Sequence, residues 1–479
     1  MTKRTKIVCT IGPASESVTT LTAMIKAGMN VARLNFSHGS YENHALLIKH
    51  VRAVSEKTGE PIAIMQDLQG PKIRVGALPK SGVNLKAGET ITFDTAADGY
   101  TKGIFPIDFK NLHEYVKTGE RLLLNDGRVG TTVVKIVGTK IQAKVLNGGV
   151  ITSHKGLNIP DSQLTISAMT KKDKEDVRFG VEQGVDFIAL SFVTNAKDIL
   201  DLRYLIKEYE RELGLKVEQQ IRIVAKIERR EAVRNIKEIL DVADGVMIAR
   251  GDLGIEIAAA EVPLVQKSLI DKALSAAKPV IVATQMLDSM QENPRPTRAE
   301  VSDVANAVID HTDAVMLSNE TATGKYPVQT VEEMARIIST TEASVYDNLV
   351  VREHAGKKQK IDTVISEMSR LLADDIGAKL ILAASLSGET AHLISRYRPE
   401  IPVVVATSTD RVERQLNLSW GVVPFVLVPC RTIEELVERS LIHLKKKKIA
   451  RAGDKIIVVA GEPVGHAGHV NLLEVREVE

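Results

Sequence analysis

The sequence predicts an α/β protein built on a (β/α)8 TIM barrel, with an inserted small all-β barrel domain and a C-terminal open-sheet α/β domain. Short apolar runs recur eight times along most of the chain, and most of them precede a stretch with helical spacing. One long interval between the runs has little helical period, and a second strand and helix pattern follows the last run. These observations define three regions.

The eight apolar runs are the predicted barrel strands. Each is nearly continuous in apolar, often β-branched residues, which fits parallel strands that are buried on both faces. The runs are 6–11, 29–36, 62–65, 187–192, 221–227, 245–249, 279–283 and 314–317. Helical spacing follows at 19–27, 41–56, 196–212, 262–277 and 328–338. We therefore assign residues 1–73 and 167–344 to a barrel catalytic domain.

The interval between the third and fourth runs predicts a separate domain. It has short strand-like stretches and turn dipeptides such as Gly148-Gly149. We predict that residues 74–166 form an inserted β-barrel domain. Because it leaves and re-enters the mouth of the barrel, it is placed to act as a lid that excludes water. A passive decoration is the alternative.

The last region, residues 345–479, predicts an open α/β sheet with a regulatory role. Helical spacing at 361–376 is followed by strands at 380–384, 402–406, 422–428 and 455–460. The first of these strands leads into a loop that can hold a phosphate on backbone amides at a helix start. The candidate effector-binding residues of this loop are Ser385, Ser387, Gly388 and Thr390.

The charge balance is close to neutral, with 63 lysine and arginine residues against 61 aspartate and glutamate residues, a net charge of +2. This balance argues against a general affinity for nucleic acid and favours small-molecule partners. The lysines at 445–448 are interpreted as a solvated helix face. Cys9 and Cys430 fit a reducing compartment, and both are expected to be inert core residues. No apolar stretch reaches roughly 18 residues, so we expect a cytoplasmic protein without a membrane anchor.

Charged residues follow two consecutive predicted strands, at the point where each strand ends. Lys226 and Glu228 close the fifth run, and Arg250 and Asp252 close the sixth. Side chains two apart on a strand share a face, so each pair is expected to aim at one point. Because active sites of such barrels lie at the carboxyl ends of the strands, these residues predict a metal-assisted site for an anionic substrate. Further polar residues at strand ends are Arg33, Asn35, Ser37, Asp67, Ser191, Thr284, Ser318 and Glu320.

Several long segments closely resemble the pyruvate kinase family. They are MNVARLNFSHGS (29–40), AKIERREAVRNI (225–236), VMIARGDLGIEI (246–257), the stretch 283–328 that begins ATQMLDSMQENPRPTRAE, and SRYRPEIPVV (395–404). The resemblance covers the chain from the first predicted strand to the last, with the family's three domains in the same order. It implies transfer of a phosphoryl group from phosphoenolpyruvate to ADP, followed by protonation of the enolate to pyruvate.

The resemblance implies roles in phosphoryl transfer for four residues. Glu228 and Asp252 would hold a divalent ion, and carboxylate oxygens favour Mg2+ or Mn2+ over zinc. Lys226 resembles the lysine that touches the phosphoryl group in flight and stabilises the enolate oxygen. Arg33 corresponds to a phosphoryl clamp, since a guanidinium suits tetrahedral oxyanions. By this resemblance, the first two would be metal ligands and the last two would contact the substrate.

Other residues that resemble family positions would bind substrate or nucleotide. Gly251 and Asp252 would offer a backbone amide and a carboxylate to the substrate and its metal. Thr284 resembles the residue beside the enolate carbon, and Thr284 with Glu320 is the candidate proton route. ADP would bind between barrel and lid. The residues that resemble nucleotide contacts are Asn35, His38, Arg74 and Lys155.

The loop after the third strand resembles the potassium-independent branch of the family. Potassium-dependent relatives carry glutamate where Lys72 stands, with threonine and lysine where Leu68 and Gln69 stand. An ammonium can deliver the positive charge that a bound ion would supply near the substrate carboxylate, so Lys72 is a candidate substrate contact and K+ is not expected to be required. The residues that match a monovalent-cation site are Asn35, Ser37, Asp67 and Leu68.

Two further departures from the family concern the proton route and regulation. Asn319 stands where the family usually has glycine, and asparagine tolerates a left-handed backbone. Glu389 follows the effector loop and would repel a phosphate, so we expect a monophosphate effector or none rather than fructose bisphosphate. The family also suggests a homotetramer.

Two alternative functions remain open at this point. A metal-dependent, enolate-forming barrel lyase that acts on a small keto acid could use Lys226, Glu228 and Asp252 in similar ways. The nucleotide-side residues Arg74 and Lys155 argue against it. A non-catalytic scaffold that senses an effector is the second alternative, and the retention of every mapped site residue argues against that one.

Overall fold

A computed structural model of the chain describes residues 3–125, 127–162, 167–215, 220–349, 358–461 and 470–479. The chain begins with three strands that alternate with two helices. Ser17 and Ser40 cap the starts of these helices, and Gly28 and Gly59 end them in the left-handed conformation. The elements are β1 (Lys6–Thr10), α1 (Val18–Ala27), β2 (Val31–Asn35), α2 (Tyr41–Thr58) and β3 (Ala63–Asp67).

The inserted segment forms short strands around its own apolar core. Its elements are β4 (Val83–Leu85), β5 (Thr90–Asp94), β6 (Ile104–Pro106), α3 (Leu112–Tyr115), β7 (Arg121–Leu124), β8 (Val129–Val137), β9 (Lys140–Val145), β10 (Gly149–Ile151) and β11 (Leu157–Asn158). Six strands pair in the order β11-β7-β8-β9-β5-β6, and β10 pairs with β4. Phe93, Phe105 and Leu122 lie in a core that is separate from that of the barrel.

The chain then returns to the barrel through a helix and five more strands. The elements are α4 (Lys171–Glu182), β12 (Phe187–Leu190), α5 (Ala196–Glu212), β13 (Arg222–Ile227), α6 (Arg230–Arg234), α7 (Ile236–Val242), β14 (Gly245–Ala249), α8 (Arg250–Glu256), α9 (Val262–Ser275), β15 (Val280–Ala283), α10 (Arg298–Ile309), β16 (Ala314–Leu317), α11 (Asn319–Ala322) and α12 (Pro327–Glu342). Short 3-10 turns lie at Ala259–Glu261, Asp288–Gln291 and Val345–Asp347.

Eight parallel strands close into a barrel in the order β1-β16-β15-β14-β13-β12-β3-β2, which confirms the predicted fold class. Strand residues on the outer face pack against the surrounding helices in one large core. Residues on the inner face, such as Met65, Phe187 and Met247, fill the barrel. Because both faces are buried, the strands need the continuous apolar runs that the sequence displays.

The C-terminal region is a five-stranded sheet, as predicted for an open α/β domain. Its strands pair in the order β19-β18-β17-β20-β21. The sequence did not predict the antiparallel edge strand β21. The elements are α13 (Ile361–Ile376), β17 (Leu380–Ala384), α14 (Glu389–Ser395), β18 (Val403–Thr407), α15 (Asp410–Leu416), β19 (Val422–Val426), α16 (Ile433–Lys446), β20 (Lys455–Ala460) and β21 (Leu472–Glu477).

The C-terminal region also closes the floor of the barrel, where the strands begin. Leu418 is 1% exposed and belongs to the apolar cluster inside the barrel. Around it, Asp313 accepts hydrogen bonds from Arg398 at 2.9 Å and from the N–H of Trp420 at 3.0 Å. The barrel interior is therefore completed by a residue from another domain.

Two further features of the described residues concern membrane spans and cysteines. No helix among the described residues is long and apolar enough to cross a membrane. Cys9 is buried as expected, but Cys430 is only partly buried, so the prediction of a core position for Cys430 is wrong. Cys430 lies just beyond β19, where the end of the sheet leaves its side chain partly uncovered.

Candidate active site

A connected group of two cations and two carboxylates lies at the carboxyl ends of the barrel strands. The Nζ atom of Lys226, on β13, lies 2.8 Å from Oε1 of Glu228 and 3.2 Å from Oδ1 of Asp67. Nε of Arg33, on β2, lies 2.6 Å from Oδ2 of Asp67. The carboxylates are 2% exposed, whereas the two cations keep 11% and 12% exposure. An incoming anion would therefore meet the cations first.

The charges in this group stabilise one another against burial. Burial alone would lower the pKa of Lys226, but the carboxylates of Asp67 and Glu228 outweigh it and raise that pKa above its ordinary value. Burial also opposes ionisation of Asp67, yet Lys226 and Arg33 hold the pKa of Asp67 below its ordinary value. The ammonium of Lys226 is therefore a fixed positive charge in a water-poor site.

Two residues after β12 orient the lysine and the glutamate. Nζ of Lys226 donates to Oγ of Ser191 at 2.7 Å, and that hydroxyl donates to the carbonyl of Leu68 at 2.7 Å. The backbone N–H of Phe192 donates to Oε2 of Glu228 at 2.7 Å. Sequence reasoning placed Ser191 at a strand end without a role. It missed Phe192, because a backbone donor leaves no side-chain pattern.

Asp252 adds a second carboxylate beside Glu228. Burial raises the pKa of Glu228; Lys226 opposes this shift, and the negative charge of Asp252 adds to it. Within the described residues, no group of three or more His, Cys, Asp or Glu could hold a metal by itself. Two repelling carboxylates nevertheless fit Mg2+, which takes one or two protein carboxylates and completes its shell with substrate oxygens and water.

Lys72 extends from the loop after β3 toward the same carboxylate. Its Nζ atom lies 3.9 Å from Oδ1 of Asp252, and the two side chains are 27% and 29% exposed. The stem of Lys72 lies against Gly156, where an added Cβ would be 2.9 Å from Cε of the lysine. The ammonium is thus placed between the insert and the barrel mouth, within reach of an anion beside Asp252.

The strand argument fails for Arg250 and Asp252, because Arg250 already begins helix α8. Its guanidinium turns away to Asp303, with both contacts at 2.7 Å, and to the carbonyl of Thr284 at 2.9 Å. Arg250 therefore braces the loop that carries Thr284 and does not point where Asp252 points. Two residues with this spacing cannot share a face once the strand has become a helix.

Thr284 follows β15 in a strained backbone conformation. Its φ is +75°, and Gln285 follows with φ +55°, a left-handed pair without glycine. Oγ1 of Thr284 accepts the N–H of Gly251 at 2.8 Å and donates to the carbonyl of Ala283 at 2.6 Å. The amide of Gly251 is thus directed at Thr284. This strain holds the Thr284 hydroxyl at the mouth of the barrel.

Glu320 is held by two backbone donors. Its Oε1 accepts from the N–H of Leu287 at 3.2 Å, and its Oε2 accepts from the N–H of Ser318 at 2.7 Å. Burial raises the pKa of Glu320 in spite of these bonds. Asn319 adopts a helical conformation as the first residue of α11, so a left-handed residue is not needed there. Asparagine at position 319, in place of the family's usual glycine, therefore leaves the Glu320 carboxylate anchored.

The residues that match a monovalent-cation site lie at the ends of the paired strands β2 and β3 and in the loops that follow them. Oδ1 of Asn35 accepts the N–H of Ser37 at 3.1 Å, and the carbonyl of His38 contacts Nε2 of His44 at 2.9 Å. Asp67 has both oxygens engaged by Arg33 and Lys226. The structure brings these residues to one side of the mouth, where protein cations already neutralise the central carboxylate.

The two remaining nucleotide candidates lie on neighbouring segments of the insert. Arg74 pairs with Gly156 in an antiparallel bridge, and NH1 of Arg74 donates to the carbonyl of His154 at 3.1 Å. Lys155 is exposed, next to Gly156. The two side chains therefore sit close to Lys72, on the connection between insert and barrel, and remain open to solvent.

The effector loop is attached to the barrel floor. Oγ of Ser385 accepts the N–H of Gly388 at 3.0 Å, and Gly388 has φ +89°. NH2 of Arg222, the first residue of β13, donates to the carbonyl of Ser387. Thr390 is 9% exposed within α14. The structure thus brings Ser385, Ser387 and Gly388 together and leaves Thr390 largely buried.

The chain matches two sequence profiles of known domains. "Pyruvate kinase, barrel domain" matches residues 2–331, and "Pyruvate kinase, alpha/beta domain" matches residues 363–476. The pyruvate kinase of Sporosarcina psychrophila is 44% identical over 99% of this chain and 80% of its own length. That of Clostridium acetobutylicum is 41% identical over 100% of both chains.

A solved structure gives the same result for the fold. The crystal structure of a pyruvate kinase from Cryptosporidium parvum superimposes with a TM-score of 0.91 at 35% identity. The match covers 100% of this chain and 96% of that one. The similarity therefore extends over all three structural regions and is not confined to the barrel.

Proposed function

Because the chain belongs to the pyruvate kinase family, it transfers the phosphoryl group of phosphoenolpyruvate to ADP, and we propose here which residues perform each step. The products are pyruvate and ATP, in the last step of glycolysis. The observation that carries the residue roles is the contact of Lys226 with Glu228 and Asp67 at the ends of adjacent strands. A cytoplasmic location, where glycolytic intermediates occur, is part of the proposal.

Lys226 and Arg33 bind the phosphoryl group and the developing enolate. Phosphoryl transfer needs positioning and charge neutralisation more than covalent help. The Lys226 ammonium is oriented by Ser191 and cannot easily lose its proton, so it is preorganised where negative charge develops. Arg33 is held through Nε by Asp67 and donates from NH1 to Oγ1 of Thr10 at 2.8 Å, which fixes its guanidinium plane.

Glu228 and Asp252 would hold Mg2+, which the pyruvate kinase family generally uses. When bound, the ion would neutralise charge on substrate oxygens. The Phe192 N–H and the Lys226 ammonium fix the orientation of Glu228. Asp252 lies at the start of α8, where helix N–H groups favour a carboxylate.

Thr284 and Glu320 supply the proton that converts the enolate to pyruvate. The Thr284 hydroxyl is locked by its strained backbone and by the Gly251 N–H. Glu320 can hold a proton because burial raises its pKa. A water between the two groups completes the route, since direct contact is not required for general acid catalysis through one water.

ADP binds between the barrel mouth and the inserted domain. Arg74 and Lys155 approach from the insert, and Asn35 and His38 approach from the loop after β2. The positions of the partly exposed Arg74 and the exposed Lys155 next to Lys72 support this assignment. The insert then acts as a lid that excludes water during transfer.

The enzyme works without potassium because Lys72 provides a resident positive charge. Lys72 lies 3.9 Å from Asp252, and Asp67 is already neutralised by Arg33 and Lys226. A bound monovalent cation is therefore not needed at the predicted site, whose residues are Asn35, Ser37, Asp67 and Leu68. This branch assignment rests on Leu68, Gln69 and Lys72 together.

Assembly and regulation follow from the C-terminal region. Helix α13 exposes an apolar stripe, with Ile361, Val364 and Met368 at 70%, 43% and 46% exposure. Such a stripe supports contact between copies in a homotetramer. The loop with Ser387 and Glu389 binds a monophosphate effector or none, since a carboxylate beside a phosphate is repulsive.

A coupled assay of pyruvate release tests the proposed residue roles. Lys226→Met should lower kcat by about 100- to 1,000-fold, the usual loss when one donor to a developing oxyanion is removed. Lys237→Met, at an exposed site on α7, is the matched control and should retain activity. Pyruvate formation that does not depend on ADP would contradict the phosphotransferase and favour the lyase.

A further inference from the structure

The inserted domain is joined to the barrel by two segments, and one buried carboxylate binds both of them. The outgoing segment, residues 68–73, follows β3, and the returning segment, residues 167–170, precedes α4. Oδ1 of Asp173 accepts the N–H of Gly70 at 3.0 Å. Oδ2 of Asp173 accepts the N–H of Thr170 at 2.8 Å and its hydroxyl at 2.6 Å. Asp173 is 0% exposed, so solvent does not compete for these bonds.

The contact with Gly70 goes beyond the needs of a helix cap. Thr170 and Asp173 form a capping box at the start of α4, and a capping box serves the backbone donors of its own helix. Asp198 makes the same motif on α5, where it accepts bonds from its near neighbours Thr194 and Asn195. Asp173 instead reaches a residue 103 positions away along the chain.

Gly70 in turn lies against the catalytic group. It has φ +70°, and an added Cβ there would lie 2.7 Å from the ring of Phe192. Phe192 is the residue whose N–H binds Glu228, and Lys72 follows Gly70 by two positions. An anchor on Gly70 therefore fixes the outgoing segment relative to both Glu228 and Lys72.

The residue before Asp173 makes a similar connection to the loop after β2. Nζ of Lys172 donates to the carbonyl of Phe36 at 2.8 Å and pairs with the buried carboxylate of Asp176 at 2.5 Å. Phe36 begins the loop that carries His38. The first turn of α4 thus fastens both connections of the insert and one loop of the nucleotide site.

We propose that Asp173 is a positioning residue that locks the two connections of the inserted domain together and so sets the place of the nucleotide contacts over the barrel mouth. The inference rests on the proposed role of the insert as a lid. An amide accepts hydrogen bonds through one oxygen only, so Asp173→Asn must release either Gly70 or Thr170. We expect KM for ADP to rise, whereas the rate of phosphoryl transfer should change little.

The test compares Asp173→Asn with Asp198→Asn in the full-length enzyme. Asp173→Asn should raise KM for ADP by about fivefold or more and change kcat by less than about twofold. Hydrogen exchange at the amides of Gly70 and Lys72 should accelerate by about tenfold. Asp198→Asn weakens an equivalent helix cap without touching the insert, so it should lower the thermal midpoint and leave KM and this exchange unchanged.

A second variant covers the case in which Asp173→Asn does not fold. Thr170→Val removes the hydroxyl that donates to Oδ2 of Asp173 and accepts the Asp173 N–H, and it keeps the acceptor for Gly70, so a rise of about twofold in KM for ADP is expected. If Asp173→Asn and Asp198→Asn have equal effects on KM for ADP and on hydrogen exchange at Gly70 and Lys72, Asp173 acts only as a helix cap and the proposal is overturned. Absence of ADP-dependent activity in the parent enzyme would overturn the proposed function instead, while the exchange comparison would still decide the role of Asp173.

Discussion

Reversing the charge of Lys72 should convert the enzyme into one that needs potassium. In Lys72→Glu, a carboxylate would replace the ammonium that lies 3.9 Å from Asp252. The pocket would then hold two neighbouring negative charges where it now holds an ion pair. A phosphoenolpyruvate carboxylate bound in the same place would face repulsion instead of attraction.

The magnitude follows from Coulomb's law at this distance. Two unit charges about 4 Å apart interact by about 4 kcal/mol at an effective dielectric constant of about 20, and by about 1 kcal/mol in water. The 27% and 29% exposure of the two side chains places the pair between these limits. Loss of the attraction costs about 1.5 kcal/mol, and a repulsion of equal size brings the total to about 3 kcal/mol, or roughly 100-fold in kcat/KM for phosphoenolpyruvate.

The assay measures pyruvate release in buffers that contain either potassium or tetramethylammonium. Ionic strength is kept at about 0.1 M in both, so that general screening is the same. The parent enzyme should differ by less than about twofold between the two buffers. Lys72→Glu should lose about 100-fold in tetramethylammonium and recover at least about tenfold when potassium is present.

The control is Lys102→Glu, which makes the same charge change at an exposed site of the insert. It should behave like the parent enzyme in both buffers. A parent enzyme that loses orders of magnitude without potassium would refute the role of Lys72. So would a Lys72→Glu variant that gains nothing from potassium, because the reasoning requires the two cations to be interchangeable.

Two other perturbations test stability. Leu418→Ala should destabilise the barrel by about 3 kcal/mol, because it leaves a cavity inside the barrel floor. An unchanged thermal midpoint would contradict this, because it would mean that neighbouring residues fill the cavity without loss of stability. Burial raises the pKa of Glu256 to about 7, so its stabilising contribution is present below the unfolded pKa of about 4.5 and is lost as pH rises through about 7. Glu256→Gln, which does not titrate, should therefore be more stable than the parent by about 2 to 3 kcal/mol above pH 7, and a gap in thermal midpoint that stays constant between about pH 5 and 8 would contradict this.

The barrel and much of its mouth could be predicted from the sequence because their signals are local. Burial on both faces makes each strand an apolar run, and chain direction puts Lys226, Glu228 and Thr284 at the same end. Contacts between distant segments leave no such signal. Asp173 reads as an ordinary cap until Gly70 is seen beside it, and Leu418 reads as the end of a helix until the barrel interior is seen around it.

Arg250 shows where local reasoning gives the wrong answer. The sequence predicts that the strand period continues past Ala249, but the backbone becomes helical at the next residue, and the guanidinium of Arg250 binds Asp303 on α10. Asp303 lies 53 positions further along the chain, so spacing could not have suggested the pair. A side chain at a strand end therefore has a predictable location and an unpredictable direction.

Charged residues stand at both ends of the apolar runs. Those at the start of a strand differ in role from those at its end. Arg222 begins β13 and binds the C-terminal region through the carbonyl of Ser387 and Nε2 of His392. Lys226, four positions later on the same strand, lies at the mouth with the catalytic carboxylates. Because every strand of a parallel barrel starts at the floor and ends at the mouth, a charge before a run lies where the C-terminal region can bind, and a charge after a run lies at the mouth, although Arg250 shows that it need not face the site. Lys6, which begins β1 and donates to the carbonyl of Val422 at 2.7 Å, obeys the same rule.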